Sequence, residues 1–338
     1  MIKRIAAVLS AAGLIAVAMF AGGTFAGASV AAVSNVSVVS SADEQSGTVS
    51  EAEIDEPHTA ALAPTAAEYD TIAGRWGTER IAVSSAWDAV DGFGPVLVAI
   101  LDTGIASDAP FAHRIVGSID FSGEGNVEDA HGHGTHMAGT IAAIAPNASF
   151  LNVKVADKRG RCDTAAVVKG IRWAADRGAQ VINISLEVAP SADLENAVKY
   201  ASERGAIVVA AAGNSGASTP AYPAAYPEAL AVAGTNQADG LAVLSNHGDW
   251  VDIAAPGFKI YAELPGASFG YETGTSPAAA HVSGVAALLF GVATDSSGNG
   301  LLSDEVRDAL ESTAQPLAAA GTGSGLVHAQ AAVLFLAV

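Results

Sequence analysis

Between residues 96 and 212 the chain alternates short apolar runs with segments typical of helices. The apolar runs are Val96–Leu101, Phe150–Val155, Gln180–Leu186 and Ile207–Ala212, and the helical segments are His133–Ala145, Thr164–Arg177 and Ala192–Arg204. Gly178 and Gly205 follow two of these helical segments, at the position where glycine commonly ends a helix. Because parallel strands need crossover connections, the alternation predicts an α/β fold of three layers, in which helices cover both faces of a mostly parallel, twisted β-sheet.

Polar side chains stand where several of these apolar runs end. Asp102 follows the first run, Ser185–Glu187 lie at the end of the third, and Asn214 follows the fourth after Gly213. Sites in open α/β sheets form beyond the carboxyl ends of the strands. The topology therefore predicts that these residues lie on one rim of the sheet.

The charge and the cysteine content limit the partners of the chain. Its 338 residues include 16 Lys and Arg against 35 Asp and Glu, which gives a formal net charge of −19. An acidic surface repels phosphate backbones, so we expect no nucleic-acid partner. Cys162 is the only cysteine, which excludes an intrachain disulfide and a cysteine-based zinc site. We expect its thiol to be either buried or, in an exported protein, exposed to oxidation.

The N-terminus is typical of an export signal. Lys3 and Arg4 precede an apolar stretch from Ile5 to Phe20, and the small residues Ala26–Ala28 follow at cleavage spacing. We predict a signal peptide over residues 1–28 and a secreted, extracellular protein without stable membrane association after cleavage. An uncleaved membrane anchor is the alternative, because the uncharged stretch continues beyond this point.

Residues 29–69 are rich in Ser, Ala, Val and acidic residues, and they show no clear hydrophobic period. This composition predicts an acidic low-complexity spacer or a short pro-segment. One compact domain is expected to follow over residues 70–338, and its regular pattern begins near Trp76.

Asp102 lies in the triplet Asp-Thr-Gly, which also marks aspartic proteases. Those enzymes need two carboxylates that share a proton, and the chain contains no second Asp-Thr-Gly or Asp-Ser-Gly. The alternation of strands with helices also disfavours an all-β class. An aspartate at a strand end can equally cap a turn or bind a cation, so this triplet alone leaves a structural role open.

Three histidines cluster around a tight glycine-rich turn. His131, His133 and His136 lie beside Asp129, with glycines at 132 and 134. The spacing lacks the i, i+4 pair that helical zinc ligands use. We therefore interpret His133 as a general base, His136 as a packed structural histidine and His131 as a surface loop residue.

Ser276 precedes Pro277 and a long apolar helix predicted from Ala278 to Phe290. A serine N-cap followed by proline is an ordinary helix start. The same placement puts the serine in the positive field of a helix N-terminus, which stabilises developing negative charge. Asn214 also has two interpretations. Gly-Asn-Ser is a common turn, and the side-chain amide of Asn214 can also donate a hydrogen bond to an oxyanion.

Taken together, four segments resemble the subtilisin-like serine proteases. They are V-A-I-L-D-T-G-I around Asp102, H-G-H-G-T-H-M-A-G-T around His133, A-A-A-G-N-S-G around Asn214 and G-T-S-P-A-A-A-H-V-S-G around Ser276. Shorter segments such as V-I-N-I-S-L and Y-P-A-A-Y-P match as well, and the likeness runs from about Arg75 to Ala332. Their order and spacing make the resemblance specific, and it implies a subtilisin-like sheet.

The resemblance implies a set of roles for an Asp-His-Ser triad. Ser276 would be the nucleophile, His133 the base, and Asp102 the residue that orients and stabilises the imidazole. Asn214 and the backbone N–H of Ser276 would form the oxyanion hole. The implied enzyme is a serine endopeptidase that cleaves polypeptides through an acyl-enzyme, needs no organic cofactor and is expected to be a monomer.

Substrate-binding segments follow from the same resemblance. Ser185, Leu186 and Glu187 align with one substrate-pairing strand, and Gly160, Arg161 and Cys162 align with the opposite edge. Ala211, Ala212 and Gly213 are expected to line the same cleft. In the family the proline of the first Tyr-Pro is often cis, which makes Pro223 a candidate.

The chain also departs from the family pattern. Pro277 follows the nucleophile where methionine is common, Ala280 replaces a usual proline, and Glu187 replaces a glycine at the primary pocket. The helix after His133 runs directly into Ala145-Pro146, and Phe111 stands where an aspartate ligand is common. We therefore expect no metal at the calcium loop of the family, although a different calcium site stays open. Residues 29–69 are short for the usual inhibitory prodomain.

Two other classes of function remain as alternatives. A binding pseudoenzyme or a dedicated processing factor could share the fold, although all four motif residues are present. A metal-dependent hydrolase could use the histidine cluster. Labelling of Ser276 by a fluorophosphonate and sensitivity to chelators would separate these classes.

Overall fold

The computed structural model describes residues 58–62 and 76–337. Its strands, in chain order, are β1 (His58–Leu62), β2 (Val96–Asp102), β3 (Ile115–Asp120), β4 (Ala148–Lys154), β5 (Val181–Ile184), β6 (Ile207–Ala211), β7 (Ala229–Thr235), β8 (Ile253–Pro256), β9 (Ile260–Leu264) and β10 (Ser268–Glu272). The helices are α1 (Trp76–Arg80), α2 (Val83–Trp87), α3 (His133–Ile144), α4 (Thr164–Asp176), α5 (Ala192–Ser202), α6 (Thr275–Phe290), α7 (Leu302–Ser312) and α8 (Ala329–Leu336).

A seven-stranded sheet forms the centre of the fold. Its strand order is β3-β4-β2-β5-β6-β7-β8, and every neighbouring pair is parallel. The predicted α/β sheet is thus confirmed, and among the described strands it is entirely parallel. Because parallel strands end at the same edge, the residues that follow β2, β5 and β6 come to one rim.

The two faces of the sheet carry separate cores. On β2, Val98 and Ile100 pack into the core that contains α3 and α6, whereas Ala99 and Leu101 point to the opposite core with α4 and α5. This alternation follows from the two-residue period of a strand. Since both faces are covered by helices, the central strands are apolar throughout, and the predicted three-layer arrangement is confirmed.

The predicted elements form with small shifts at their ends. The helix expected from Ala278 begins three residues earlier, at Thr275, with Gly274 as its N-cap. Proline is accepted in a first turn because the N–H that it lacks has no partner there. Ser276 is therefore not the N-cap but lies inside the first turn of α6. Strand β3 and strands β7 to β10 have no counterpart among the predicted strands. The residues of β3, at the sheet edge, are only partly buried, which weakens its apolar pattern.

A second, antiparallel sheet has the order β1-β10-β9. Strand β1 comes from the segment interpreted as a spacer, and His58 pairs with Tyr271 of β10. The predicted signal peptide and the rest of residues 29–69 lie outside the described residues. Within the described ranges no helix is both long enough and apolar enough to cross a membrane. The Tyr222–Pro223 peptide bond is cis, which confirms that expectation.

Candidate active site

Asp102 and His133 form a buried hydrogen-bonded pair. The Nδ1 atom of His133, at the start of α3, lies 2.7 Å from Oδ1 of Asp102, the last residue of β2. Both side chains are fully buried. A carboxylate accepts hydrogen bonds, so Nδ1 carries the proton and Nε2 is the nitrogen that can act as a base.

The turn before α3 is held by Asp129, a residue for which the sequence suggested no role beyond proximity to the histidines. Its carboxylate accepts hydrogen bonds from Thr103 Oγ1, from the backbone N–H groups of Gly132 and Thr135, and from Thr135 Oγ1, all at 2.6–2.9 Å. Gly132 has a φ of 108°, which favours glycine. Asp129 thereby fixes the entry of α3 and with it the position of His133.

Glycine at 134 is required by close packing against the strand that carries Asp102. A Cβ at this position would collide with the backbone oxygen of Gly104 and lie 3.0 Å from Asp102 Cβ. The backbone N–H of Gly134 donates to Thr103 Oγ1 at 2.9 Å. The predicted tight glycine entry into the helix is thus present, and it is what lets His133 reach Asp102.

Ser276 lies in the first turn of α6 and is 3% exposed. Its Oγ donates a hydrogen bond to the backbone oxygen of Ser185, at 3.2 Å, and its own backbone oxygen accepts one from Ser185 Oγ, at 3.0 Å. Helix α6 packs against α3, and Oε2 of Glu272, four residues before Ser276, is 3.9 Å from His133 Nε2. The serine and the imidazole therefore belong to one region of the molecule.

Asn214 is oriented by the residue before the serine. Its Oδ1 accepts hydrogen bonds from the backbone N–H of Thr275 at 2.8 Å and from Thr275 Oγ1 at 3.1 Å. A backbone N–H can only donate, so the amide oxygen must face Thr275, and the Nδ2 donor points away from it. The hydrogen bonds therefore fix which end of the Asn214 side chain can donate to another group.

A buried polar network, which sequence reasoning missed, ties β5 to α6. Asn183 donates from Nδ2 to Ser185 Oγ at 3.1 Å, and its Oδ1 accepts from Ser283 Oγ at 2.9 Å. All three side chains are buried. The signal in the sequence was the alternation of polar and apolar residues in V-I-N-I-S, since an asparagine inside a fully buried strand needs a partner.

The structure brings the two expected walls of the substrate cleft together. Glu187 is exposed, and its Oε2 lies 3.0 Å from the position that a Cβ on Gly213 would occupy. Gly213 has a φ of 94°, and its N–H donates to Thr275 Oγ1. The segments Ser185–Glu187 and Ala211–Gly213 thus meet next to the helix that carries Ser276. The Glu187 carboxylate of the first segment lies against Gly213 of the second.

Gly160, Arg161 and Cys162 form the turn of a small antiparallel bridge. Cys162 pairs with Ala156, Gly160 has a φ of 73°, and Arg161 makes an ion pair with Asp157 at 2.7 Å. Beside this turn lies a cleft of about 380 Å³ with a mixed polar and apolar lining.

Cys162 is buried, which selects one of the two expectations for its thiol. Burial, together with the negative charge of Asp102 and neighbouring acids, raises the pKa of Cys162 to about 12. The thiol is therefore protonated at neutral pH, and the thiolate is the reactive form.

We expect Cys162 to be inert in the folded protein. At pH 8 a thiol reagent such as iodoacetamide should modify less than about a tenth of the protein in the time that it fully modifies the urea-unfolded chain. Mass spectrometry of the intact protein measures this. Rapid labelling of folded, active protein would contradict the burial of the thiol.

The other two histidines have structural surroundings. His136 is fully buried, and its Nε2 lies 3.0 Å from the backbone oxygen of Ile260. Burial, followed by the positive charge of His133, lowers the pKa of His136 to about 3. His131 is in the loop as predicted but is half-buried, with its ring edge-to-face against His133 at 6.4 Å. Among residues 58–62 and 76–337, no three His, Cys, Asp or Glu side chains are grouped to hold a metal ion.

The region of the calcium loop of the family is short and capped by protein groups. Only three residues separate α3 from β4. The Arg114 guanidinium donates to the backbone oxygens of Ala142, Ala145 and Ala148, where it complements the C-terminus of α3. Phe111 is buried edge-on against Phe150, at 5.8 Å between ring centroids. The Arg114 guanidinium therefore occupies the C-terminal end of α3.

A parallel α/β sheet that carries, in chain order, an Asp-His pair, an oriented asparagine and a serine in a helix N-terminus defines the class of subtilisin-like serine proteases. Comparison with known proteins gives the same result. The subtilase family, peptidase S8, matches residues 94–330. The chain belongs to the subtilase family and is a serine endopeptidase.

Individual relatives extend over most of the chain. Thermitase of Thermoactinomyces vulgaris is 40% identical over 276 residues, which cover 77% of this chain and 96% of thermitase. Subtilisin BL of Lederbergia lenta is 40% identical over 270 residues, which cover 76% of this chain and 97% of that protein. A thermophilic serine proteinase of Bacillus sp. (strain AK1) is 36% identical over 303 residues, 86% of this chain and 73% of that protein.

Proposed function

We propose that Asp102, His133 and Ser276 form the catalytic triad of a secreted endopeptidase, with Asn214 in its oxyanion hole. The observation that carries the proposal is the fully buried 2.7 Å hydrogen bond between His133 Nδ1 and Asp102. A buried pair of this kind sets one imidazole tautomer, and burial strengthens its electrostatics. Family membership adds that the chain is a serine endopeptidase.

The reaction requires a change in the hydrogen bond of Ser276. Its Oγ donates to the backbone oxygen of Ser185, and in the reaction it must instead donate to His133 Nε2. His133 then takes the proton as Ser276 Oγ attacks the scissile carbonyl carbon, and Asp102 stabilises the imidazolium. His133 returns the proton to the leaving amine, and water hydrolyses the acyl-enzyme by the same route in reverse.

The negative charge that develops on the carbonyl oxygen needs donors that are already oriented. The Nδ2 group of Asn214 is one, because Thr275 holds the amide oxygen on the opposite side. The backbone N–H of Ser276, in the first turn of α6, is the second, and the helix N-terminus adds a favourable field. Neither donor has to reorganise during the reaction.

Polypeptides are the expected substrates, bound as an added strand. Ser185, Leu186 and Glu187 would pair with the substrate backbone on one side, and Gly160, Arg161 and Cys162 on the other. Ala211–Gly213 would line the primary pocket between them. Main-chain pairing tolerates many sequences, so the side-chain preference depends on the pocket.

Glu187 gives the pocket a negative charge, and we expect a preference for basic residues before the cleaved bond. Its carboxylate lies against Gly213 at the edge of the cleft. Peptide substrates that end in Arg should show a kcat/KM about 10-fold above matched Phe substrates, and Glu187→Gln should remove the difference. Glu195→Gln, an exposed glutamate on α5, is the control. A strong preference of the unmodified enzyme for Phe substrates would contradict this expectation.

Pro277 follows the nucleophile, and we expect resistance to peroxide. The chain has three methionines, of which Met137 is the only one beyond residue 28, and it is fully buried in α3. A sulfoxide cannot form at position 277. Hydrogen peroxide should inactivate a Pro277→Met variant several-fold faster than the unmodified enzyme, as measured by residual kcat/KM. Equal rates of inactivation in the two proteins would contradict this expectation.

The proposal also includes export of the protein from the cell. The signal peptide over residues 1–28 would be removed, and residues 29–69 would act as a spacer or pro-segment before a catalytic domain over 70–338. We expect the mature protein to be an extracellular monomer. N-terminal sequencing of the protein from culture medium, together with its mass by light scattering, tests these points. An intact N-terminus in the membrane fraction would favour the anchored alternative.

The direct test of the function is a digest of a denatured protein mixture by the unmodified chain and by Ser276→Ala, with cleavage sites identified by mass spectrometry. Cleavage by the first and none by the second is expected. Fluorophosphonate labelling without cleavage would favour a binding role. Loss of cleavage with a chelator, but not with a serine reagent, would favour a metal-dependent hydrolase.

A further inference from the structure

A buried carboxylate outside the triad lies beside the catalytic imidazole. Glu272, the last residue of β10, is 1% exposed. Its Oε2 lies 3.9 Å from His133 Nε2 and 3.7 Å from His136 Nδ1. The triad mechanism assigns no role to this residue, and the sequence motifs do not include it.

Glu272 and Asp102 lie on opposite sides of the same ring. Asp102 contacts Nδ1, whereas Glu272 lies on the side of Nε2. In the proposed mechanism Nε2 is the atom that receives the proton from Ser276 and gives it to the leaving amine. A carboxylate at this distance interacts more favourably with an imidazolium than with a neutral imidazole, and weak screening in a buried site makes this difference larger.

The second neighbour of Glu272 cannot take up the charge. The backbone oxygen of Ile260 can only accept a hydrogen bond, so His136 Nε2 carries the proton and Nδ1 presents a lone pair toward Glu272. The backbone oxygen of Gly270, on the strand that carries Glu272, is a second hydrogen-bond acceptor beside this ring. With its pKa lowered to about 3 by burial, His136 stays neutral in the working range. Of the two imidazoles, only His133 can balance a negative Glu272.

The other charged or titratable groups around these rings come from four elements. Asp102 contacts His133 from β2, His131 lies against its ring from the loop, and His281 of α6 is close enough to His136 to lower its pKa. Glu263 of β9 packs against α3 at Gly139, under the same small sheet. In contrast to these groups, Glu272 lies within ion-pair distance of His133 Nε2, at 3.9 Å.

We propose that Glu272 is a positioning residue for catalysis: its carboxylate faces His133 Nε2, stabilises the imidazolium formed during acylation and thereby sets the lower pH limit of activity. This inference rests on the proposed triad. The negative charge favours protonated His133 in the free enzyme as well as in the transition state. The enzyme should therefore lose activity at a higher pH on acidification than it would without Glu272.

The experiment compares the pH dependence of kcat/KM of the unmodified enzyme and Glu272→Gln, with a peptide substrate that has no titratable side chain. The acidic limb of Glu272→Gln should move to lower pH by about half to one unit. Above the limb its kcat/KM should be several-fold lower, because the imidazolium is less stabilised. The two profiles should therefore converge, or cross, at low pH, a pattern that loss of folded enzyme cannot produce.

Controls separate this role from a structural one. Glu263→Gln removes a neighbouring buried carboxylate and should leave the acidic limb in place, and Glu272→Asp should restore part of the shift. The shift should persist at about 1 M salt, where surface charges are screened. Concentrations are normalised by fluorophosphonate titration of Ser276. An acidic limb of Glu272→Gln within about 0.2 pH units of the unmodified enzyme would overturn the proposal. Absence of labelling in the unmodified enzyme would instead overturn the triad.

Discussion

Replacing Ser276 by alanine is expected to lower kcat by about 10⁶-fold and to abolish fluorophosphonate labelling. The magnitude is that measured when the nucleophile of subtilisin, a relative of this chain, is removed. The hydroxyl oxygen is the atom that attacks, and alanine has no such atom. Ser185 Oγ is buried and already donates to the backbone oxygen of Ser276.

The fold should survive this substitution. Ser276 Oγ makes one hydrogen bond, to the backbone oxygen of Ser185 at 3.2 Å, and alanine is favourable in a helix. The melting temperature should therefore stay within a few degrees of the unmodified protein. Ser312→Ala, an exposed serine at the end of α7, should retain full activity as the control. Residual cleavage by Ser276→Ala above about 1% would assign the nucleophile elsewhere.

Replacing Asp102 by asparagine is expected to lower kcat by about 10⁴-fold, close to the loss measured when the triad aspartate of subtilisin is removed. The Oδ1 atom of Asp102 accepts hydrogen bonds from both His133 Nδ1 and the backbone N–H of Thr103, each at 2.7 Å. Because the Thr103 N–H only donates, the oxygen of an asparagine should keep this position and leave the His133 tautomer intact. The substitution removes the negative charge that stabilises the imidazolium. It also places an NH₂ group at the position of Oδ2, where this donor would be buried.

The measurement is kcat of Asp102→Asn from steady-state cleavage of a peptide substrate, with stability followed by thermal unfolding. Asp308→Asn serves as the control, because Asp308 is an exposed aspartate on α7. It should leave kcat within about twofold. A loss of less than about 10-fold in Asp102→Asn would mean that the buried pair does not stabilise charge during the reaction.

The sheet and the position of the site could be predicted because they rest on local patterns. Apolar runs and helix-like segments alternate over more than a hundred residues. Each of them can be recognised from the spacing of its own apolar residues, without knowledge of the rest of the chain. Asp102, His133 and Asn214 stand at element ends, where topology alone brings them to one rim. Strand β3 and strands β7 to β10 were not predicted, and the start of α6 was placed three residues too late. Partial exposure weakens the apolar pattern of β3, and an early proline obscures the start of α6.

The contacts that tune the site could not be predicted in the same way. Glu272 lies in G-Y-E-T, which has no pattern that points to His133, and the contact depends on how β10 packs against α3. The orientation of the Asn214 amide depends on Thr275, more than sixty residues away in sequence. Asp129 stands beside the histidines in the chain, yet its hydrogen bonds become visible only when the turn is folded.

Helix α6 has all sixteen residues buried, and its first turn carries Ser276. The attacking group is thus attached to a fully buried helix rather than to a surface loop. Local fluctuations of the surface leave such a segment in place, and displacing it requires the surrounding packing to come apart. Thermal inactivation of this enzyme is consequently tied to cooperative melting of the whole domain.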